Sequence, residues 1–456
     1  MSVLESHILA AEATLPFGVR GTVQAVTGLT IEAIDLALPV GSMCRIHTSV
    51  GPCAAEVIGF ADDRTLLMPL SSPRGVTRGD RVENVASAPR VACGPELLGR
   101  VVDGFGRPAD QLGPVGARHW RRIDQKSPAP LARLNIRQPL CTSVRAIDAL
   151  LTCGRGQRMG IFSGPGVGKS TLLSQIARHC DADVSVIALI GERGREVREF
   201  LENSLGPEGL KRCVVVVSTS DDPPLLRVRA AKVACTIAEH FRDQGCNVLL
   251  LMDSLTRLAQ AQRQIGLAAR EPPATRGYPP CVFALLPEIL ERAGRTESGS
   301  ITGFYTVLVE GDDFNEPIPD AVKGITDGHL WLSRQLANRG HFPAIDVLQS
   351  ISRVRGDVCD SAQLTMARRI QSLLAVYQDI EDLVNIGAYV AGVNFEYDVA
   401  VQSRKRVVEF LRQDAAAPTT LEQARKELTD LVAWIEQVEN VVAASGKGVT
   451  APEKRR

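Results

Sequence analysis

Residues Ser163–Ser170 read SGPGVGKS, directly after the apolar run Arg158–Phe162 (RMGIF) and directly before a helical pattern over Lys169–Arg178. A glycine-rich turn between a strand and a helix is the setting of a phosphate-binding P-loop. Gly164, Gly166 and Gly168 let backbone N–H groups turn inward around phosphate oxygens, where a side chain would block close approach. The helix N-terminus adds partial positive charge. Lys169 can reach the outer phosphates as a point charge, and the Ser170 hydroxyl suits Mg²⁺. Gly164, Pro165, Gly166, Val167, Gly168, Lys169, Ser170 and Thr171 form the candidate nucleotide-binding segment. Ser163 stands where the strict pattern has glycine. A glycine-rich turn with a chance GKS is the bland alternative, and the strand–loop–helix context argues against it.

Two further strand ends carry acidic residues. Asn247–Met252 (NVLLLM) runs into Asp253, and a carboxylate at the tip of a parallel strand faces the ligand crevice of an α/β sheet. Asp253 is therefore a candidate to hold a Mg²⁺-bound water. The strand VSVIALI is followed by GERGRE, which places Glu192 as a candidate base or water-orienting group and Arg193 as a candidate γ-phosphate contact. On pattern alone a solvated charged turn explains GERGRE equally well.

Outward from these motifs the rhythm of the chain changes three times. Residues 18–90 hold short β-rich runs (Val19–Val26, Thr30–Leu36, Met43–Thr48, Ala54–Phe60, Thr65–Pro69, Arg81–Val85) separated by turn residues, which predicts a small β-barrel. Residues 91–150 are a connector rich in Gly and Pro. Apolar strands alternate with helical patterns over about 151–355, which predicts a parallel sheet covered by helices. Helical patterns follow at Ala362–Leu374, Ile380–Ile386, Asp398–Arg412 and Leu421–Val442, and the tail GKGVTAPEKRR reads as solvated.

The bulk numbers agree with a soluble multidomain protein. The chain has 456 residues, 45% hydrophobic and 23% charged, with only 4% aromatic. Lys+Arg and Asp+Glu are both 52, a balance that argues against a general nucleic-acid binder. The eleven cysteines show no CxxC pair, and Cys213, Cys235 and Cys281 sit in apolar runs, so buried small side chains are expected rather than zinc or disulfides. No stretch approaches the roughly 18 apolar residues of a spanning helix. The N-terminus has Glu5 and Glu12 and no basic region, unlike a signal peptide.

Taken together, GIFSGPGVGKSTLL, GERGREVREF, LLLMDSLTRLAQAQRQIG, PPATRGYPPCVFALLPEILERAG, GSITGFYTVLVEGDD and FPAIDVLQSISRV resemble the flagellar and type III secretion export ATPases. These are relatives of the rotary ATP synthase catalytic subunit. The resemblance runs from about residue 18 to about 440. It implies an N-terminal regulator-binding segment (1–17), a six-stranded β-barrel (18–90), a RecA-like P-loop domain with its connector (91–358) and a C-terminal helical domain (359–456). It implies ATP hydrolysis with Mg²⁺ and gives Glu192 the role of catalytic carboxylate. It places Arg353, in SISRV, as an arginine finger for the neighbouring subunit's site, and Phe342, in HFPAID, against the adenine ring. Without the family, Phe342 would read as core and Arg353 as an ordinary basic residue. Tyr389 is a further candidate for the adenine pocket.

Glu192 and Arg353 lie on one chain, so a head-to-tail ring of identical subunits would complete a site at every interface. A homohexamer is expected. The resemblance further implies a stalk-like regulator at the N-terminus, where Val3, Leu4, Ile8 and Leu9 would make one apolar stripe if that stretch were a short helix; a disordered start is the equal alternative. Its other implied partners are an export gate, export chaperones and unfolded substrates, at the cytoplasmic face of an export apparatus and with only peripheral membrane contact. The segments LLTCGRGQRMGIF and PPATRGYPP lean toward the flagellar branch; the Asn315–Glu316 pair is less decisive. The alternatives are an injectisome ATPase, an RNA-translocating hexamer and a non-catalytic nucleotide-binding subunit. The RNA reading lacks aromatics and a basic run in residues 18–90, and Glu192 argues against the non-catalytic one.

Overall fold

A computed structural model describes residues 18–86, 88–309 and 316–446. The apolar stripe Val3, Leu4, Ile8 and Leu9, Asn315, and the tail from Lys447 lie outside the described residues. The chain forms two compact units. The first has its described residues within Met1–Leu134, Asp183–Leu308 and Phe314–Ile325; the second has them within Asn135–Ala182, Val309–Asp313 and Thr326–Arg456.

Six strands of the first unit, β1 (Arg20–Thr27), β2 (Thr30–Ile34), β3 (Met43–Thr48), β4 (Gly51–Ala61), β5 (Arg64–Pro69) and β6 (Arg81–Ala86), close into a barrel in the order β1-β2-β5-β4-β3-β6. Each is one of the runs predicted above. Alternate residues point inward, so Val23, Ile31, Ile46, Ala55, Val57, Leu67 and Val82 fill the interior.

The same unit contains a parallel set of strands: β7 (Val101–Val102), β9 (Val184–Glu192), β10 (Cys213–Thr219), β11 (Asn247–Asp253) and β12 (Ser300–Leu308). They pair in the order β12-β11-β9-β10-β7. Eight successive residues of β9 are buried, as expected of a strand covered on both faces. Helix α2 (Pro224–Asp243) packs on β9, β10 and β11, and helix α3 (Leu255–Ala268) packs on α2. The strand β7 falls in what the sequence presents as connector; two residues are too few to show a period. Arg292 is 1% exposed and Glu239 3%; they pair at 2.7 Å, and Arg292 also donates to the Ile123 carbonyl and the Thr236 hydroxyl.

In the second unit β8 (Arg158–Ser163) runs parallel to β13 (Gly328–Leu332), and β14 (Ile345–Ser352) returns antiparallel to β13. Helix α1 (Lys169–His179) follows β8 across the P-loop. Three helices, α4 (Ser361–Asn385), α5 (Phe395–Leu411) and α6 (Leu421–Gly446), pack together and against the short helix Arg145–Leu150. The two helices predicted at 362–374 and 380–386 are one. No Gly or Pro lies between them, and Asp360 caps the start by accepting from the Gln363 N–H.

The architecture expected from the sequence is the one the chain adopts: a closed six-stranded barrel, a parallel-sheet nucleotide-binding domain and a C-terminal helical region. Among the described residues no helix is long and apolar enough to cross a membrane.

Candidate active site

The P-loop belongs to the second unit. Its start is fixed by β8, whose Met159–Ser163 are all buried. Gly166 has φ +77° and Gly168 φ +89°, the left-handed region in which only glycine sits without strain. Nothing lies within 4 Å of where a Gly166 Cβ would be, so the loop is open on that side. Val167 turns inward and is buried, which anchors the loop from below. Helix α1 opens at Lys169, and Gly168 at its N-cap provides no side-chain hydrogen bond. The first-turn N–H groups of a helix have no intrahelical partners and are natural anion donors. Ser170 and Thr171 are exposed at that end.

A Cβ on Gly168 would lie 3.4 Å from two ring carbons of Phe342. The structure thus brings Phe342 onto the P-loop, and the ring remains 45% exposed. That combination is unlike a core phenylalanine and suits a planar group stacking beside the phosphates. The Phe342–Pro343 peptide is cis. His341, next to Phe342, is buried with its Nε2 unpartnered among the described residues. Burial, with the nearby Arg412 and Arg404, pushes its imidazole down to about 4, so it is neutral at pH 7. Glycine N–H groups, a helix N-terminus, a lysine and a serine hydroxyl form the donor set that Mg²⁺–triphosphate needs, on a loop that is open at Gly166. Among the described residues no cluster of three or more His, Cys, Asp or Glu side chains could hold a metal ion.

Ser163 is fully buried, and its hydroxyl has no partner among the described residues. Its carbonyl accepts from the Val309 N–H at 3.0 Å. Nothing in the structure explains a serine there.

Arg353 follows β14. Its N–H donates to the Asp327 carbonyl at 2.9 Å while its side chain is exposed. The second unit therefore carries the P-loop, Phe342 and Arg353. Tyr389, in contrast, lies in the α4–α5 turn and donates its hydroxyl to Asp398 in the first turn of α5.

The acidic candidates lie on the first unit. Glu192 ends β9 just after a register shift between Ile190 and Glu192 in the pairing with β10. A β-bulge of this kind re-aims the side chain that follows it. Gly191 makes the bulge, with φ +71°, and its α-carbon faces Arg257 so closely that a Cβ would lie 2.9 Å from the arginine's own Cβ. Arg257 and Arg227 stand beside this bulge, and burial pushes the Arg227 guanidinium down. Neither Gly191 nor the two arginines was singled out in the sequence; the glycine at a strand's end was the one readable signal. Arg193 turns outward, its side chain 78% exposed and 3.4 Å from Glu196.

Asp253 ends β11 and is buried. The Thr306 hydroxyl donates to its Oδ1 at 2.6 Å. Thr306 holds the carboxylate's orientation, and no local pattern could reveal it, because it lies 53 residues away on the neighbouring strand. The peptide after Asp253 is cis.

A glycine cradle that follows a buried strand and opens a helix defines a P-loop nucleotide-binding protein. Residues 143–352 match the model of the ATP synthase alpha/beta family, nucleotide-binding domain, and residues 359–430 that of the T3SS EscN ATPase C-terminal domain. The chain is 50% identical to the flagellum-specific ATP synthase of Bacillus subtilis, over 94% of this chain and 98% of that protein. It is 46% identical to the type 3 secretion system ATPase of Xanthomonas euvesicatoria, over 94% and 98%. The assembled ATPase EscN from the enteropathogenic E. coli type III secretion system matches in structure, with TM-score 0.84 and 44% identity, over 90% of this chain and all of that one. The chain belongs to the family of flagellum-specific ATP synthases and type 3 secretion system ATPases, and its activity is ATP hydrolysis.

Proposed function

We propose that this chain is the ATPase of a flagellar protein-export apparatus and works as a ring of six identical subunits. The observation that carries the reading is Phe342 resting on Gly168, with Arg353 exposed on the same unit. In this reading the Gly164–Gly168 loop and Lys169 hold the triphosphate, and Phe342 stacks on the base. Glu192 orients the attacking water and takes its proton, while Arg193 meets the γ-phosphate. Ser170 and, through water, Asp253 would hold Mg²⁺, which neutralises charge on the outer phosphates. Arg353 of the next subunit stabilises charge developing on the γ-phosphate.

A second EscN structure contains its central stalk EscO. By analogy, a stalk-like protein is proposed as a partner here, docking through residues 1–17. The described residues offer it a second surface: Ile386, Val390, Val393 and Phe395 are all exposed at the turn between α4 and α5. Export gate, chaperones and unfolded substrates are proposed from the family alone. Close similarity to both branches keeps the injectisome as the second reading.

The test mixes two inactive variants. Glu192→Gln lacks the base and Arg353→Ala the finger. In a mixed ring about a quarter of interfaces regain both groups, so hydrolysis returns on mixing. A mixture as inactive as its components, with rings confirmed by sedimentation, overturns the shared site. Restored motility in a strain lacking its flagellar export ATPase supports the flagellar branch; restored injectisome secretion without motility overturns it.

A further inference from the structure

Gln413 lies just past the end of α5, outside every motif that marks the nucleotide site. Its backbone N–H donates to the Phe342 carbonyl at 3.0 Å. Its side chain accepts from the Arg145 N–H at 2.7 Å through Oε1. Through Nε2 it donates to the Ser143 carbonyl at 2.9 Å and the Ala417 carbonyl at 2.8 Å. One residue therefore ties three stretches of backbone, at Phe342, at Ser143 and Arg145, and at Ala417.

Two of those ties lead toward the P-loop, one through Phe342 and one through the far end of α1. The Phe342 ring stands beside Gly168, where an added Cβ would meet it at 3.4 Å. Ser143 reaches α1, the helix that springs from the P-loop. Its hydroxyl donates to the His179 carbonyl at 2.8 Å, and its own carbonyl accepts from the Gln175 side chain at 3.3 Å. Ser143 sits at φ +62°, a conformation a non-glycine residue keeps only when its surroundings hold it. The path Gly168–Phe342–Gln413–Ser143–α1 is a closed bracket around the phosphate loop, and Gln413 is the one member that belongs to the helical region.

We propose that Gln413 is a positioning residue that sets where Phe342 stands relative to the phosphate loop, and so sets affinity for the base of the nucleotide. The inference rests on the proposed contact of Phe342 with adenine. It predicts that a shift of the C-terminal helices reaches the nucleotide as a change in base affinity, because Gln413, which bonds Phe342, follows the end of α5 by two residues. The Gln413 side chain touches neither phosphates nor base and contributes nothing to the chemical step.

The experiment uses the full chain with Gln413→Met, which keeps volume and removes the side-chain hydrogen bonds, and Gln413→Glu, which keeps the acceptor for Arg145 and removes the two donors. Kinetics with ATP are paired with calorimetric binding of Mg²⁺–ADP and of Mg²⁺–tripolyphosphate, which has no base. Gln413→Met is expected to raise KM for ATP and Kd for ADP about tenfold, with kcat within about twofold and tripolyphosphate affinity unchanged. Gln413→Glu turns a carboxylate oxygen toward the Ser143 and Ala417 carbonyls, which cannot donate to it, and should show the same selective loss at least as strongly. Phe342→Ala is the reference. A Phe342→Ala chain that keeps wild-type preference for ADP over tripolyphosphate overturns the adenine contact itself. Selective loss in Phe342→Ala with wild-type behaviour of both Gln413 variants overturns the positioning role alone. Equal loss for ADP and tripolyphosphate in the Gln413 variants also overturns it, since that marks a general collapse of the loop.

Discussion

Replacing Gly191 with alanine tests how the strand β9 presents Glu192. The position needs φ +71°, which costs a residue with a Cβ about 1–2 kcal/mol. The new methyl would also lie 2.9 Å from Cβ and 3.3 Å from Cγ of Arg257. An arginine Cβ is fixed to its backbone and cannot swing aside, so relief has to come from the bulge. Overpacking of this kind costs about 1–3 kcal/mol. The sum is a loss of about 2–5 kcal/mol, read as a lower urea midpoint of the full chain. The bulge relaxes by moving Glu192, and a displacement approaching 1 Å costs about 100-fold in rate. A fall in kcat of tens of fold is therefore expected, with a smaller change in KM. The control is three residues on. Gly194 has open space where its Cβ would go, so Gly194→Ala should leave both midpoint and kcat close to wild type. A Gly191→Ala chain with wild-type midpoint and kcat would refute the account of the bulge.

Thr306→Val removes the 2.6 Å donor to Asp253, and the Mg²⁺ concentration for half-maximal hydrolysis should rise about tenfold, measured by metal titration of the ATPase rate. Arg292→Ala leaves Glu239 as a buried, unpaired carboxylate and should cost about 3–5 kcal/mol in a urea melt, while Arg292→Met with Glu239→Leu should cost clearly less. Glu56 on β4 is pushed up to about 7, by burial first, against the partial relief of Arg229. Its folded state holds the proton more tightly than the unfolded chain, so this group favours folding below about pH 4.5, and that contribution is lost as pH rises through about 7. Thermal stability should fall over that window by up to about 3 kcal/mol, and Glu56→Gln should flatten the slope; an unchanged slope removes Glu56 as its origin.

The barrel strands were legible because each has one face in the interior and one in water, which writes a period of two into β3 and β4. The P-loop was legible because its requirements are local: glycines for φ, a lysine and a hydroxyl at fixed spacing. The break assumed within α4 was an error of pattern reading, since residues 375–379 weaken the apolar stripe without any helix breaker. Phe342 shows the reverse limit. Its residue type suits a core as well as a base stack, and only its place on Gly168 separates the two.

By itself the sequence determined the barrel, the alternating βα rhythm, the helical C-terminal region and the phosphate loop, because these depend on neighbours within a few residues. Only the tertiary structure decided which distant groups hold the site's residues in place. Thr306 on Asp253, Arg257 under Gly191 and Gln413 on Phe342 are contacts between segments 53, 66 and 71 residues apart. No short-range pattern records such contacts, because chain folding alone makes them neighbours, while the residue types involved are ordinary ones found on any strand or helix.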